Sequence, residues 1–131
     1  MLIRAVALAL ALGTIAAASP EAAPVTTVRG EVVSVECALT KGDAGRGEAH
    51  GPCAMDCAKR GDPMAILADD GLYLIVGDYA AHANARLLDF VAKRVEAKGT
   101  IADEDGRKTI NVAAMMVLKD LPPPAPPPNR R

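Results

Sequence analysis

The stretch Met64–Asp78, MAILADDGLYLIVGD, decides the fold class. It holds two short apolar runs, Met64 to Ala68 and Leu72 to Val76, separated by Asp-Asp-Gly. An Asp-Gly pair between apolar runs is a strong β-hairpin signal, because these residues accept the backbone conformations that a tight turn requires. The stretch therefore predicts a hairpin of two short strands, and its flanks extend the same pattern.

Before this hairpin, TVRGEVVSVECAL predicts a strand from about Val28 to Ala38, with Val33, Val35 and Cys37 on one face. After it, DYAAHANARLLDFVAKR spaces its apolar residues as a helix does, which predicts a helix from about Ala80 to Ala92. The segments before and after the hairpin thus add one strand and one helix.

The last apolar segment, RVEAKGTIADEDGRKTINVAAMMVL, predicts a second hairpin with its turn at DEDGR. Four of its residues are expected to point inward: Val95, Ile101, Ile110 and Val112. The element order is then strand, long insertion, strand, strand, helix, strand, strand. A helix between the third and fourth of five strands is the topology of the OB-fold barrel.

We therefore predict a mainly β, five-stranded, OB-fold-like barrel with one helix between strands 3 and 4 and a Cys/His-containing loop-helix insertion between strands 1 and 2. The patterns VxGEVVxV, KRVEAKGTI and GRKTINV resemble those of small exported bacterial OB-fold proteins. Such barrels host many unrelated sites, so the resemblance implies a fold and not an activity.

The insertion, TKGDAGRGEAHGPCAMDCAKRGDP at residues 40–63, holds the residues with the richest chemistry. Its first half is a glycine-rich loop. Its second half predicts a short helix, because Pro52 suits the first helical position and Gly61 suits a C-terminal cap.

Four metal-ligand side chains fall in or near this insertion, in the order Cys37, His50, Cys53 and Cys57. Cys53 and Cys57 are four positions apart and share a helix face. His50 can fold back from the loop toward the two cysteines. Cys37, near the end of the first strand, can join the same group if the insertion packs over the end of the barrel where that strand stops. The set supplies a tetrahedral shell for zinc or three thiolates for Cu(I).

The segment GRGEAHGPCAMDCAKRGDPMAIL is also similar to one found in uncharacterised exported bacterial proteins, which carry a His-x2-Cys-Ala-x2-Cys core followed by Gly-x-Pro. His50, Cys53 and Cys57 occupy the core positions, and Cys37 matches an upstream cysteine. The resemblance implies a shared site but brings no established activity with it.

Two other uses of the cysteines stay open. Cys37 can form a disulfide with Cys53 or Cys57, which would pin the insertion to the first strand and leave one thiol over. Alternatively Cys53, in the first helical turn, attacks disulfides and another cysteine resolves the product. No serine–histidine–aspartate arrangement is present, so we expect a binding protein, a redox component or an interaction module of the cell envelope rather than a hydrolase.

The two ends of the chain predict its organisation. Residues 1–18 have one positive charge, a short apolar run and small residues before the expected cleavage point, as in a secretory signal peptide. Residues 19–26 are expected to be disordered, residues 27–118 to form the barrel domain, and residues 119–131 to be a disordered, proline-rich tail. The protein is therefore expected in the periplasm or outside the cell, and not as an integral membrane protein after cleavage.

Charge and composition restrict the classes of binding partner that are expected for this chain. Arg4 is the only one of the 15 basic residues in the leader, so the remainder, with 16 acidic residues, has a net charge of about −2. The chain has two tyrosines, one phenylalanine and no tryptophan. Nucleic acid is therefore not expected as a partner, because it would require a basic surface or exposed rings for base stacking. A metal ion and an envelope protein bound through the barrel or the proline-rich tail are the expected partners.

Overall fold

The computed structural model describes residues 22–119 and shows a mainly β domain with five strands and three short helices. The strands are β1 (Val25–Ser34), β2 (Met64–Ala68), β3 (Gly71–Val76), β4 (Arg94–Glu104) and β5 (Arg107–Val117). The helices are α1 (Val35–Lys41), α2 (Gly51–Lys59) and the single turn α3 (Ala81–Asn84). Further 3-10 turns cover Gly42–Gly45, Glu48–His50, Gly77–Tyr79 and Ala85–Phe90. The predicted signal peptide and most of the predicted tail lie outside the described residues.

The five strands form one mixed sheet in the order β1-β2-β3-β5-β4. Only the pairing of β3 with β5 is parallel, and β4 pairs with both β5 and β1. The circuit of strand pairs thereby closes into a barrel. The prediction of a mainly β domain with five strands is confirmed. Helix α2 lies in the predicted insertion between strands 1 and 2, whereas α1 was not predicted and occupies the end of the predicted first strand.

Both hairpins form where the turn residues predict them. In the first, Ala68 pairs with Gly71 across the turn residues Asp69 and Asp70. In the second, Asp105 and Gly106 both have positive φ, at 55° and 78°. Positive φ at both central positions is the geometry of the turn that matches the natural twist of two antiparallel strands. Local sequence therefore sets the register of both hairpins.

The continuous helix predicted over residues 80–92 is wrong. His82, Ala83 and Asn84 have φ values of 53°, 53° and 58°, which is left-handed backbone, and a 3-10 turn follows from Ala85 to Phe90. Tertiary contacts override the helical spacing here. The buried Asn84 side chain donates to two backbone carbonyls of the insertion, and asparagine tolerates left-handed backbone better than most residues.

The predicted end of the first strand is also wrong. β1 runs from Val25 to Ser34, begins before the expected domain boundary at residue 27, and stops before Val35. Ser34 caps α1, because its hydroxyl accepts a hydrogen bond from the backbone N–H of Cys37 at 3.5 Å. Cys37 therefore lies in the first turn of a helix and not on a strand face.

The barrel interior is filled by aliphatic side chains, and α2 packs against this core. Val95, Ile110 and Val112 are buried as predicted, whereas Ile101 is only partly buried. Two alanines of α2, Ala54 and Ala58, belong to the same core cluster. The face of α2 beside the cysteines is thus fixed to the barrel by apolar packing.

The insertion also covers part of the outer face of β1. Glu31 and Val33 point outward, because alternate residues of a strand face opposite sides of the sheet. Val33 is nevertheless only 1% exposed, and the Glu31 carboxylate accepts a hydrogen bond from the Gly47 N–H at 2.6 Å.

The described part of the chain contains no helix of the length and hydropathy that a membrane span requires.

Candidate metal centre

Three cysteines from two helices converge beside the end of β1. The Sγ atoms of Cys37, in α1, and of Cys53 and Cys57, in α2, all lie within 4.8 Å of one another. The chain has three cysteines, all of them are described, and all are free thiols. Three of the four predicted metal ligands are therefore brought together.

The position of Cys37 depends on Ser34 and Gly45. Ser34 starts α1 three residues before Cys37. Gly45 then packs directly on the Cys37 carbonyl, because a Cβ built on Gly45 would lie 2.2 Å from that oxygen. Any larger side chain at position 45 would push the loop away from α1. The glycine-rich loop thus has a structural role, which is to let the chain turn back closely over the first cysteine.

The positions of Cys53 and Cys57 follow from helix α2 and its two ends. Pro52 lies in the first turn as predicted, where its missing N–H is not needed. Gly61 has φ 81°, and its N–H and that of Asp62 bond the carbonyls of Ala58 and Cys57 at 2.9 and 3.1 Å. This pair of bonds is a Schellman cap, which ends the helix as the sequence predicted.

Asn84 fixes the same helix end from the other side. Its side-chain amide donates to the Ala58 carbonyl at 3.0 Å and to the Asp62 carbonyl at 2.9 Å. The side chain is 2% exposed, so both bonds are shielded from water. Through these bonds the segment between β3 and β4 holds the turn that carries Cys57.

The three thiols differ in exposure. Cys37 and Cys57 are 5% and 4% exposed, whereas Cys53 is exposed to solvent. The group therefore has two inner sulfurs and one outer sulfur. A ligand or ion can reach the group through Cys53 without any opening of the barrel.

Arg60 places a positive charge next to the group. Its Nη2 donates to the Cys57 Sγ at 3.3 Å and to the Asp62 carboxylate at 2.7 Å. The hydrogen bond to Asp62, followed by the attraction of the two charges, raises the pKa of Arg60 above its usual range. The guanidinium is a permanent cation that lies in direct contact with one sulfur of the group.

His50, the fourth predicted ligand, is not among the donors that lie within 4.8 Å of one another. It is 9% exposed, and its Nε2 has no hydrogen-bond partner among the described residues. A buried polar atom without a partner costs roughly 1–3 kcal/mol, so such atoms point to a ligand or a functional role. The role of His50 as a ligand stays a prediction, although its free nitrogen fits that role.

The arrangement fits a thiophilic metal ion. With metal–sulfur bonds of about 2.3 Å, the sulfurs of a tetrahedral site lie about 3.8 Å apart. The three Sγ atoms lie within 4.8 Å of one another, so side-chain rotations of modest size bring them to that distance. The three cysteines can therefore hold a metal ion, and the same proximity would also permit disulfide exchange among them.

Sequence reasoning missed the residues that support the cysteines. Ser34 carried a signal, because a serine before an acidic residue and a helix-forming run is a typical N-cap. Arg60 also carried a local signal, because it follows Cys57 by three residues and precedes Asp62 by two. Asn84 carried none, since it bonds residues 22 and 26 positions away along the chain and its role becomes visible only in the tertiary structure.

A second polar cluster lies at the turn of the first hairpin. The Tyr73 hydroxyl donates to the Asp70 carboxylate at 2.6 Å, and the Lys108 ammonium lies 3.1 Å from the same oxygen. The Tyr73 hydrogen bond, and then that of Lys108, lowers the pKa of Asp70 below its usual 3.8. The cluster joins the first hairpin turn to the start of β5, and all its charges are paired.

Comparisons with protein-family models, with curated proteins and with solved structures find no significant match to this chain. The functional conclusion therefore depends on the geometry and chemistry of the cysteine group.

Proposed function

We propose that this chain is a small exported metal-binding protein with an OB-fold-like barrel, in which Cys37, Cys53 and Cys57 bind zinc or copper. His50 is the candidate for a fourth ligand. The observation that carries the proposal is that three cysteine sulfurs from two separate helices lie within 4.8 Å of one another and are free thiols. The export and the barrel family rest on the leader sequence and on the order of the five strands.

The surroundings of the cysteines support a binding role. The charge of Arg60 offsets part of the negative charge that three thiolates bring to an ion, and the unpartnered Nε2 of His50 lies at the start of the same helix. α2 is held by the core alanines, by the Schellman cap and by Asn84. A site on a braced helix keeps its ligands in position before the ion arrives.

The test is the metal content of the native protein. The full-length gene is expressed for export, the protein is purified without chelators, and bound metal is measured by elemental mass spectrometry. Thiols are titrated on the same sample after denaturation. About one equivalent of zinc or copper with three free thiols supports the proposal. The Cys57→Ser variant, which lacks one sulfur of the group, should lose the bound metal.

A second candidate function is thiol–disulfide exchange, and one observation favours it. Cys53 is exposed in the first turn of α2, and the buried sulfurs of Cys37 and Cys57 lie within 4.8 Å of its own sulfur. In this function Cys53 attacks a substrate disulfide, forms a mixed disulfide with one half of the substrate and releases the other half as a thiol. Cys57 or Cys37 then attacks the Cys53 sulfur of the mixed disulfide, which forms a disulfide within the protein and releases the second substrate thiol. The same measurement separates the functions, since a redox protein would contain no metal and one titratable thiol in its oxidised form.

A further inference from the structure

The cysteine group differs from a closed structural zinc site in two ways. Structural zinc sites have four protein ligands, which leave no coordination position open. Here the group within 4.8 Å contains three donors, all sulfur, and one of them is exposed. Thiolate sulfur is the donor that Cu(I) prefers, and three thiolates suffice for it. The number of donors, the softness of sulfur as a ligand and the exposure of one donor therefore all favour Cu(I).

We propose that the ion bound by this site is Cu(I), held by the sulfurs of Cys37, Cys53 and Cys57 alone, with Cys53 as the sulfur through which the ion enters and leaves. This inference rests on the proposed metal-binding function. Binding releases the protons of the three thiols to solvent and joins one Cu⁺ to three thiolates, which leaves a net charge of −2 on the site. No change in oxidation state is involved.

The negative charge of that complex accounts for the position of the Arg60 guanidinium beside the cysteine group. Zinc with three thiolates and a neutral histidine would carry a charge of −1, whereas Cu(I) with three thiolates carries −2. The Arg60 guanidinium, 3.3 Å from the Cys57 Sγ, offsets part of the larger charge beside a sulfur that is only 4% exposed. A cation at this position stabilises the Cu(I) complex more than the zinc complex, because the attraction grows with the charge of the site.

The experiment is a competition for metal under anaerobic, reducing conditions. The full chain is titrated with Cu(I) against bathocuproine disulfonate and, separately, with Zn²⁺ against pyridylazoresorcinol. The two histidines give a matched pair of variants, His50→Asn at the buried position and His82→Asn at an exposed one. We expect one equivalent of Cu(I) to be retained by the wild type and by both variants. His50, the candidate fourth ligand, is expected to contribute to Zn²⁺ binding and not to the three-sulfur Cu(I) shell.

Three outcomes have different meanings. If zinc is retained and Cu(I) passes to the chelator, the Cu(I) inference is overturned and the proposed metal-binding function stands. If neither ion is retained, the proposed function itself is overturned. If His50→Asn alone weakens Cu(I) binding, the three-sulfur shell is overturned. X-ray absorption of the wild-type Cu(I) complex gives a test that needs no variant: three sulfur neighbours support the inference, and an imidazole neighbour contradicts it.

Discussion

Asn84 offers the sharpest test of how the fold positions the metal centre. Its amide donates one hydrogen bond to Ala58 in the last turn of α2 and one to Asp62 just after the helix, and its backbone is left-handed at φ 58°. Each bond is worth about 1 kcal/mol net, since the Ala58 carbonyl keeps its bond from Gly61. Asn84→Gly, which keeps the left-handed backbone, should therefore destabilise the protein by about 2 kcal/mol. Asn84→Ala should add about 1 kcal/mol for the unfavourable backbone.

The assay is urea unfolding followed by far-ultraviolet circular dichroism on both variants. With a denaturant slope of roughly 1–3 kcal/mol per molar urea, the glycine variant should unfold about 1 M earlier than the wild type. Both variants should also release bound metal to a chelator faster, because Cys57 lies on the turn that Asn84 anchors. The reasoning is refuted if both variants lie within about 0.5 kcal/mol of the wild type, which is the ordinary effect of a neutral surface change.

Three further predictions concern the cluster at Asp70, the loop over the first cysteine and the cation beside the group. The pKa of Asp70 is lowered in the folded state, so Asp70 contributes stability above about pH 3.8, and this stability is lost as the pH falls through the lowered pKa. Asp70→Asn should therefore make stability, measured by thermal unfolding, depend less on pH on the acid side. A parallel shift of the whole profile would contradict this. Gly45→Ala should lower both stability and metal retention, since its Cβ would collide with a backbone carbonyl, whereas Gly51→Ala, with its nearest neighbour at 3.5 Å, should leave both nearly unchanged. Arg60→Gln should weaken metal binding roughly 10- to 100-fold in a chelator competition, as loss of an outer partner of a ligand does. Equal weakening in the neighbouring control Lys59→Gln would rule out a specific role for the guanidinium.

Local patterns in the sequence predict much of this fold. The two hairpins, the mainly β class and the helix after Pro52 follow from turn residues, alternation and capping, which act over a few neighbouring residues. The cysteine cluster was also predictable in part, because Cys53 and Cys57 are one helical turn apart. These features depend on interactions between residues that are close in the sequence, and such interactions can be predicted from a single sequence.

The remaining features depend on contacts between distant residues. The segment over residues 80–92 has helical spacing, yet the bonds from Asn84 to the turn after α2 hold it in left-handed and 3-10 backbone. β1 ends early because the capping preference of Ser34 and the closeness of Gly45 to Cys37 outweigh the apolar alternation. Neither competition could be decided from the residues of one segment alone.

The insertion begins and ends at a single rung of the sheet, since Ser34 and Met64 are cross-strand partners. Residues 35–63 thus leave the sheet and return to it at two adjacent strand ends. By its end points alone, this segment could be replaced by a two-residue turn. Removing it, however, would also remove Ala54 and Ala58 from the barrel core. A shortened chain would expose the part of the core that these two alanines cover, so the ligand-bearing segment and this part of the core can only be removed, or transferred to another protein, together.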